Sequence, residues 1–499
     1  MVTKVYKVGG DSTGVYENIQ ALGEFARSEA TSVQKLVFVV SAQASENFRT
    51  TEALRKQFRG ENNLDGIIKQ HKGLVERCGI YFNQAQLKKF VLEAETLEEM
   101  ESVGERINAP FVAGYFNSVG IPTQYKSALD LLQTKNGEVE LVGNIPEGVT
   151  IIEGFIYSSK GKIKTFPTGG SEVSGDIIAA GLNADIYGVI KNNPWFCTAD
   201  PKIVNGALQV EYLTFRELAE LAYAGARAMN EQGMIRCARN NIPILIGSAT
   251  DFMEHATSIK WERTNLTERP YAGIASKGGF IVYDLKPSER FDYLRNIFST
   301  FAEEGVSVDM VTTNGDVSIA VHNSEPITER LELKLQALSK GFSKKENISL
   351  VSVVGENMPP ASGFGERLVE LIYSSGFERP HVYGAMALPK EMSVLEIEQL
   401  GMNSIKGYLA KILLKFSEFR IPVTGILTTV GSIGIQCPAN YHVAQILRDI
   451  KTQFKPDLIS VIETNRGIPA SPKRTTNVTL AVPEQECNQV VRILHRNLF

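Results

Sequence analysis

Two glycine pairs stand where a buried strand would meet a helix, and their surroundings suit the binding of phosphate. The first lies in the run Lys7-Val8-Gly9-Gly10-Asp11-Ser12, after the apolar strand Val2 to Tyr6. The second lies in the run Thr168-Gly169-Gly170-Ser171-Glu172-Val173-Ser174, directly before a predicted helix from Ile177 to Gly181. Backbone N–H groups at a helix N-terminus attract anions, and a lysine at a strand end can follow a transferring phosphoryl group. One Gly-Gly pair is typical of a tight turn, but two predict a phosphoryl-transfer enzyme.

The elements that must position these loops alternate between strand and helix in the first half of the chain. Strands are expected at 35–42, 150–156, 186–190 and 242–247, with a helix from Thr214 to Asn230 that Thr214 and Glu217 would cap. The segment 43–103 has helical spacing and is expected to be a helical insertion over the open end of the sheet. The pattern predicts an α/β fold with a mainly parallel, three-layer sheet.

After about residue 272 the pattern changes to repeated β-α-β-β units of the ferredoxin-like kind. The first would use strands 279–285, 306–312 and 317–321 around the helix 290–304, and a similar unit would follow from 402 to 436. Internal repeats of this size indicate a regulatory or assembly module. Because exposed edge strands are normally covered, the apolar strands 306–311 and 421–427 are predicted to pair across a two-fold axis.

The bulk composition narrows the class of protein. At 499 residues the chain is too long for one compact core, so three or more domains are expected. The net charge is −4 and no basic run suggests nucleic acid or an anionic membrane. No apolar stretch reaches the ~18 residues that span a bilayer, no signal peptide is evident, and the five scattered cysteines are typical of reduced thiols. We therefore expect a cytoplasmic protein that binds neither nucleic acid nor membrane.

These runs resemble, in order, the motifs of the aspartate kinase family, which joins an amino-acid kinase fold to tandem ACT regulatory domains. The matching runs are Lys7–Ser12, Val39–Ala42, Gly104-Glu105, Gly169–Glu172, Thr198–Lys202, Gly225–Arg227 and the closing Ile493–Phe499. The resemblance covers the whole chain. It implies an amino-acid kinase catalytic domain over 1–265, an ACT-like domain over 272–345 and further ACT-like repeats over 346–499.

The resemblance also implies a reaction, the ATP-dependent phosphorylation of the side-chain carboxylate of L-aspartate to 4-phospho-L-aspartate. Catalysis would rest on positioning and on charge neutralisation, because the carboxylate is already ionised. Lys7 and Arg227 would neutralise charge, Glu105 would orient the substrate ammonium group, and Glu172 would hold Mg²⁺. The remaining implied residues are Gly9, Gly10, Ser12, Gly169, Gly170, Ser171, Lys191 and Lys202 for ATP and its phosphates, and Ser41, Asn47, Glu105, Thr168 and Glu172 for the substrate.

Departures from the family pattern leave the substrate open. The arginine that holds the substrate's α-carboxylate in the family falls at Thr168, whose hydroxyl cannot form the same bidentate pair. A substrate-contacting threonine falls at Asn47, and nucleotide-side positions fall at Lys191-Asn192 and Cys197. Two alternatives therefore remain, a sister kinase for a different small amino acid or carboxylate, and a non-catalytic amino-acid-sensing regulatory homologue.

The ACT region carries a predicted effector site. The run from Ser307 to Asn314 resembles the family's effector-binding hairpin. Asp309 would meet the amino group of a small amino-acid effector, with Thr313 and Asn314 beside its carboxylate. The resemblance further implies a homodimer or homotetramer assembled through the ACT domains.

Overall fold

The computed structural model describes most of the chain. The described residues are 2–167, 169–191, 196–226, 229–263, 270–288, 292–313, 316–356, 361–383, 392–399, 407–428, 432–438, 443–456, 458–463 and 477–499. The chain divides into two compact units. The first comprises Met1–Phe196, Gln209–Phe215 and Ala228–Glu262, and the second comprises Cys197–Leu208, Arg216–Arg227 and Arg263–Phe499.

The elements follow one another in chain order. The strands are β1 (Thr3–Val8), β2 (Lys35–Val40), β3 (Ala44–Ser45), β4 (Phe48–Arg49), β5 (Thr123–Lys126), β6 (Leu132–Lys135), β7 (Glu138–Leu141), β8 (Gly148–Glu153), β9 (Ile156–Ser159), β10 (Lys162–Thr165), β11 (Ile186–Ile190), β12 (Tyr212–Thr214), β13 (Ile244–Gly247), β14 (Thr257–Lys260), β15 (Gly273–Lys286), β16 (Met310–Thr312), β17 (Val317–His322), β18 (Gly341–Val354), β19 (His381–Tyr383), β20 (Met392–Glu398), β21 (Gly425–Thr428), β22 (Ser432–Pro438), β23 (Leu458–Glu463) and β24 (Asn477–Pro483). The helices are α1 (Gly10–Thr13), α2 (Tyr16–Ala30), α3 (Thr50–Phe58), α4 (Leu64–Arg77), α5 (Gln84–Leu92), α6 (Leu97–Ser118), α7 (Ala128–Leu131), α8 (Gly170–Gly181), α9 (Phe215–Tyr223), α10 (Ile235–Arg239), α11 (Phe252–His255), α12 (Tyr293–Glu303), α13 (Glu329–Leu338), α14 (Ala361–Ser374), α15 (Tyr408–Glu418), α16 (Ala444–Phe454) and α17 (Cys487–Leu498).

An eight-stranded sheet in the order β12-β14-β13-β11-β1-β2-β8-β5 forms the centre of the first unit. Its pairs are parallel except β13 with β14. Because successive side chains of a strand point to opposite faces, β1 shows which helices cover which face. Tyr6 packs on Phe25 of α2, whereas Lys7 reaches Glu172 of α8. Helices α2 and α8 therefore lie on opposite faces, which confirms the predicted three-layer α/β fold.

Two parts of the first unit differ from the predicted elements. The segment 43–103 is mainly helical, as expected, and α3, α4, α5 and α6 share an apolar cluster around Leu54, Ile67 and Leu87. It begins, however, with the short hairpin of β3 and β4, which the helical spacing did not indicate. A separate sheet in the order β10-β9-β6-β7 was also missed, because its short strands are mostly polar and exposed.

The second unit contains two sheets with the same connectivity. One has the order β16-β17-β15-β18-β24-β19 and the other has the order β21-β22-β20-β23. In each, β-α-β-β-α-β segments place the first strand between the third and the fourth, which confirms the predicted ferredoxin-like repeats. Buried side chains from both repeats, Phe301 and Ile412 among them, belong to a single apolar cluster.

The two strands that were predicted to pair between subunits meet within one chain. The Val311 N–H donates to Thr428 Oγ1 at 2.9 Å, and the Ile426 N–H donates to Thr313 Oγ1 at 2.9 Å. Strands β16 and β21 thus cover each other's edges, so the expected role of these strands at a two-fold axis is wrong for this pair. The domain boundaries 1–265, 272–345 and 346–499 stay a prediction.

Among the helices of the described residues, none combines the length and the apolar character needed to cross a bilayer.

Candidate active site

Lys7 lies at the carboxyl end of the central strand β1, the edge where parallel sheets bind ligands. Its neighbours in register are Val39 of β2 and Val189 of β11, so the strand is buried on both sides. Lys7 itself is only 8 % exposed. Lys191 follows the last residue of β11 directly. Since β1 and β11 are adjacent and parallel, the sheet brings the two lysines to the same edge.

Glu172 joins these two lysines. Its Oε1 atom lies 3.4 Å from Lys7 Nζ and 3.2 Å from Lys191 Nζ. Its Oε2 atom accepts the backbone N–H of Asn230 at 2.6 Å. The predicted helix after the second glycine pair begins at Gly170, not at Ile177, and this places Glu172 in the first turn of α8. The result is a cluster of two cations around one anion, in which Lys7 and Glu172 are buried and the Lys191 side chain is 25% exposed.

The charges of the cluster shift the pKa values of its members. Burial lowers the pKa of Lys7, an effect that the negative charge of Glu172 opposes and the positive charge of Lys191 reinforces. Burial would raise the pKa of Glu172, but Lys191, Lys7 and the Asn230 N–H together hold that pKa below its ordinary value. Glu172 therefore stays ionised and keeps the ammonium groups of Lys7 and Lys191 side by side.

The glycines of the two loops are required for close packing. A Cβ atom on Gly10 would lie 2.2 Å from the carbonyl oxygen of Ala42. Gly169 has φ +84° and precedes α8, where a Cβ atom would lie 2.6 Å from the Asn230 side chain. The Gly9 N–H also donates to Ile190 O at 3.0 Å, which ties the first loop to the end of β11. Both loops thus lie against the elements that carry Lys191 and Asn230.

Glu105 is placed on the other side of the Gly9-Gly10 loop. Its Oε1 atom accepts the backbone N–H of Ala42 at 3.0 Å, and the side chain is 3 % exposed. Burial raises the pKa of Glu105 to about 8, although the Ala42 N–H works in the opposite direction. Since Ala42 also touches Gly10, Glu105 and the phosphate loop share one backbone neighbour.

The other predicted site residues divide into three groups. Ser12, Gly170 and Ser171 lie in the two glycine loops or in the helix turns that follow them, and Ser41 directly follows β2, where its N–H donates to Val8 O at 3.1 Å. Asn47 is exposed at the turn of the β3–β4 hairpin, and Lys202 is exposed in a segment of the second unit, where its N–H donates to Asp200 Oδ1 at 2.9 Å. Thr168, Arg227 and Asn314 lie outside the described residues. The roles assigned to all of these residues stay predictions.

Sequence reasoning missed the residues that position Glu172. Asn230 was expected to end a long helix, but α9 ends at Tyr223 and the chain turns at Gly225, whose φ is +108°. Tyr187 donates its hydroxyl to the backbone oxygen of Glu172 at 2.8 Å. Asp176 accepts the N–H groups of Arg236 and Cys237 at the start of α10. The contacts of Asn230 and Tyr187 with Glu172 depend on tertiary packing, so no local sequence pattern indicates them. Only Asp176 could have been noticed in the sequence, because it is an acidic residue beside the second glycine pair.

The predicted effector residue Asp309 lies within the second unit. Its carboxylate accepts the Tyr223 hydroxyl and, at 2.9 Å, the backbone N–H of His322. Burial raises the pKa of Asp309, and these two donors lower it. Asp309 also lines a small cavity that is partly open to solvent and lies between the two ferredoxin-like repeats, where Tyr408 and Thr428 form the opposite wall. Thr313 instead links β16 to β21.

Comparisons with known proteins agree with this arrangement. The profile of the amino acid kinase family matches residues 2–248. Aspartokinase 3 of Bacillus subtilis (strain 168) is 24% identical over 399 residues, which cover 71% of this chain and 87% of that protein. The lysine-sensitive aspartokinase 3 of Escherichia coli (strain K12) is 27% identical over 245 residues, 46% of this chain and 53% of its own length. The chain belongs to the aspartate kinase family.

Solved structures of the aspartate kinase family share the fold along the whole chain. E. coli aspartokinase III in complex with aspartate and ADP (R-state) has a TM-score of 0.67 at 19% identity and covers 100% of both chains. The same enzyme with lysine and aspartate (T-state) has a TM-score of 0.60, with 100% of this chain and 99% of that chain covered. Aspartate kinase from Clostridium acetobutylicum has a TM-score of 0.64 at 20% identity and covers 99% of this chain and 100% of its own. The match confirms the aspartate kinase architecture expected from the motifs.

Proposed function

We propose that this chain is an ATP-dependent aspartate kinase that converts L-aspartate to 4-phospho-L-aspartate. The observation that carries the proposal is the cluster of Lys7, Glu172 and Lys191 at the ligand-binding edge of the sheet, beside both glycine loops. Two ammonium groups held 3.4 Å and 3.2 Å from one carboxylate form a site that is ready for the anionic oxygens of ATP.

Phosphoryl transfer to a carboxylate requires little from the protein beyond positioning of the reactants and neutralisation of charge. An oxygen of the substrate's side-chain carboxylate attacks the γ-phosphorus of ATP, a new P–O bond forms, and the bond to the bridging oxygen of ADP breaks. No base is needed, because the nucleophile is ionised, and charge spreads over the phosphoryl oxygens during transfer. Lys7 and Lys191 are the described groups that would stabilise this charge.

The role we propose for Glu172 is to hold the lysines. Without an anion between them, the ammonium groups of the buried Lys7 and the partly exposed Lys191 would repel each other. Both carboxylate oxygens already have partners, so binding Mg²⁺ would require Glu172 to give up its ion pairs. Within the described ranges no cluster of three or more His, Cys, Asp or Glu side chains is suited to a metal. The described residues thus fit a Mg²⁺ site poorly, and we assign none of them to the metal.

Substrate recognition is proposed to involve Glu105. Its Oε2 atom is buried and has no hydrogen-bond partner among the described residues. A protonated amine would supply the missing donor and a compensating charge. The threonine at position 168 favours a second candidate, in which the substrate is a relative of aspartate with an altered α-substituent.

We propose that a small amino acid regulates the protein by binding in the cavity beside Asp309. The supporting observation is that Asp309 is the acidic residue in the wall of this cavity. Assembly into a homodimer or homotetramer through the ACT domains stays a prediction.

The proposal is tested with the purified protein, ATP, Mg²⁺ and hydroxylamine, which traps an acyl phosphate as a hydroxamate. We expect a hydroxamate from L-aspartate that requires ATP. A hydroxamate only from another amino acid would assign the sister activity. No product from any amino acid, with no ATP binding by calorimetry, would leave the non-catalytic sensor.

A further inference from the structure

Three buried side chains near the end of β2 each leave a polar atom without a hydrogen-bond partner in the described part of the chain. They are Gln43, Glu105 and Asn108, which are 1 %, 3 % and 0 % exposed. The atoms concerned are Gln43 Nε2 and Oε1, Glu105 Oε2 and Asn108 Oδ1. Buried polar groups are nearly always hydrogen-bonded, so a cluster of exceptions points to a ligand or to ordered water.

Gln43 belongs to the backbone strip Ser41–Gln43, and the side chains of Glu105 and Asn108 hydrogen-bond to that strip from α6. Asn108 donates its amide to Ser41 O at 2.6 Å and to Thr13 Oγ1 at 2.9 Å, and Glu105 accepts the Ala42 N–H at 3.0 Å. Glu105 and Asn108 are three residues apart on α6 and so share a helix face. Glu105 and Asn108 therefore each bind the strip through one polar atom. The other polar atom of each side chain, Glu105 Oε2 or Asn108 Oδ1, has no partner among the described residues.

The strip also forms the wall of the phosphate loop. A Cβ atom on Gly10 would lie 2.2 Å from Ala42 O, and one on Gly104 would lie 2.6 Å from Ala42 Cβ. The loop and α6 thus pack directly on the same residue from two sides. A molecule that engages the strip would lie next to the place where the phosphoryl group is transferred.

We propose that Gln43 is a specificity-determining residue that binds the α-amino and α-carboxylate groups of the amino-acid substrate. Its Nε2 atom donates to the α-carboxylate and its Oε1 atom accepts from the ammonium group, which Glu105 also binds. Gln43 thereby supplies part of the carboxylate recognition that threonine at position 168 cannot provide. This inference rests on the proposed function, because it assumes that the ligand of the strip is the substrate.

The experiment compares Gln43→Leu with the wild-type protein and with Gln436→Leu. Gln436 is a matched control, since it is 5 % exposed and its Nε2 atom also lacks a partner among the described residues, but it lies in the second unit. Binding is measured by calorimetry with L-aspartate and with β-alanine, which lacks the α-carboxylate, in the presence of ADP. We expect Gln43→Leu to weaken L-aspartate binding at least tenfold, to weaken β-alanine binding clearly less because β-alanine loses only the contact to its ammonium group, and to leave ADP binding nearly unchanged. Gln436→Leu should change none of the three affinities.

Other outcomes overturn the inference. A buried glutamine that served only the fold, or held only water, would give a Gln43→Leu protein with wild-type affinity for L-aspartate and an unchanged or raised melting temperature. Equal losses for L-aspartate and β-alanine would also contradict carboxylate recognition. If Gln43→Leu does not fold, Gln43→Met removes the same hydrogen-bonding atoms from an unbranched side chain. Because binding is measured without turnover, its result is independent of the hydroxamate assay. Wild-type protein that binds L-aspartate but makes no hydroxamate would contradict only the proposed function.

Discussion

Glu172 Oε1 lies 3.4 Å from Lys7 Nζ, and this ion pair has a close counterpart on the same strand. Lys4 Nζ lies 2.8 Å from Glu29 Oε2, and the two pairs are similarly buried, with lysine side chains 10% and 12% exposed. Only the first pair stands beside the glycine loops. The chain thus contains its own control for separating the chemistry of a buried lysine from its structural role.

We expect Lys7→Met to lower kcat by ~10²-fold or more, which corresponds to about 2.7 kcal/mol of transition-state stabilisation. The reason is the loss of a positive charge that the transferring phosphoryl group requires. Steady-state kinetics of the hydroxamate reaction measure the effect, and Lys4→Met should keep most of the activity even where it is less stable. Similar losses of kcat in both variants would show that the ion pair matters only for folding.

Replacement of Glu172 should destabilise the protein in a pH-dependent way. The pKa of Glu172 is held below its ordinary 4.5, so its contribution is present above the unfolded-state pKa and disappears as the pH falls through the folded-state pKa. Glu172→Gln removes the partner of the buried Lys7 and leaves it beside the partly exposed Lys191, and breaking a buried pair costs about 3–5 kcal/mol. Urea unfolding should show a large deficit near pH 7 that shrinks on acidification. A deficit that stays constant down to pH 3 would contradict this assignment.

Glu105 should make substrate binding depend on pH. Its pKa is raised from 4.5 to about 8, so at pH 7 the carboxyl group is largely protonated and binds an ammonium ion weakly. We expect the KM for L-aspartate to fall as the pH rises through about 8 and Glu105→Gln to remove this dependence. Between pH 4.5 and about 8, the Glu105 carboxyl group is protonated in the folded state but ionised in the unfolded state. Through Glu105, the free energy of unfolding therefore falls as the pH rises over this range. A KM that is flat from pH 6.5 to 8.5 in the wild type would rule out the assigned role.

The hydrogen bond between Tyr223 and Asp309 should couple stability to the effector cavity. A double-mutant cycle of Tyr223→Phe and Asp309→Asn should give a coupling energy of about 1.5–3 kcal/mol, typical of a hydrogen bond to a charged group. Tyr223→Phe frees an oxygen of Asp309, so we expect a small amino acid that inhibits the wild-type protein to inhibit this variant at a lower concentration. Tyr283→Phe is the matched control, since Tyr283 donates to Glu332 at 3.0 Å in the same unit. If the effector inhibits Tyr223→Phe at the same concentration as the wild type, the hydrogen bond between Tyr223 and Asp309 does not influence effector binding.

The sequence predicted the parts of the site that depend on local pattern. Lys7 and its glycine pair follow from the end of an apolar strand, and the order of the motifs indicated the fold. The partner of Lys7 could not be read in this way, because Glu172 meets the lysines only after β1, β11 and α8 have packed. The helix that was expected to reach Asn230 ends at Tyr223, because Gly225 adopts a φ that favours glycine. Nothing in the sequence indicated that Gln43 would be buried with both polar atoms of its side chain unpaired among the described residues.

The pairing of β24 with β18 has a consequence for biosynthesis. Ser352 of β18 faces Thr479 of β24, although a complete second sheet lies between them in the sequence. Since chains emerge from the ribosome N-terminus first, the outer side of β18 waits with exposed N–H and C=O groups until nearly the last residues are synthesised. Open strand edges promote association between chains. A nascent chain of this protein that stalls before residue 477 should therefore depend on chaperones far more than the finished protein does.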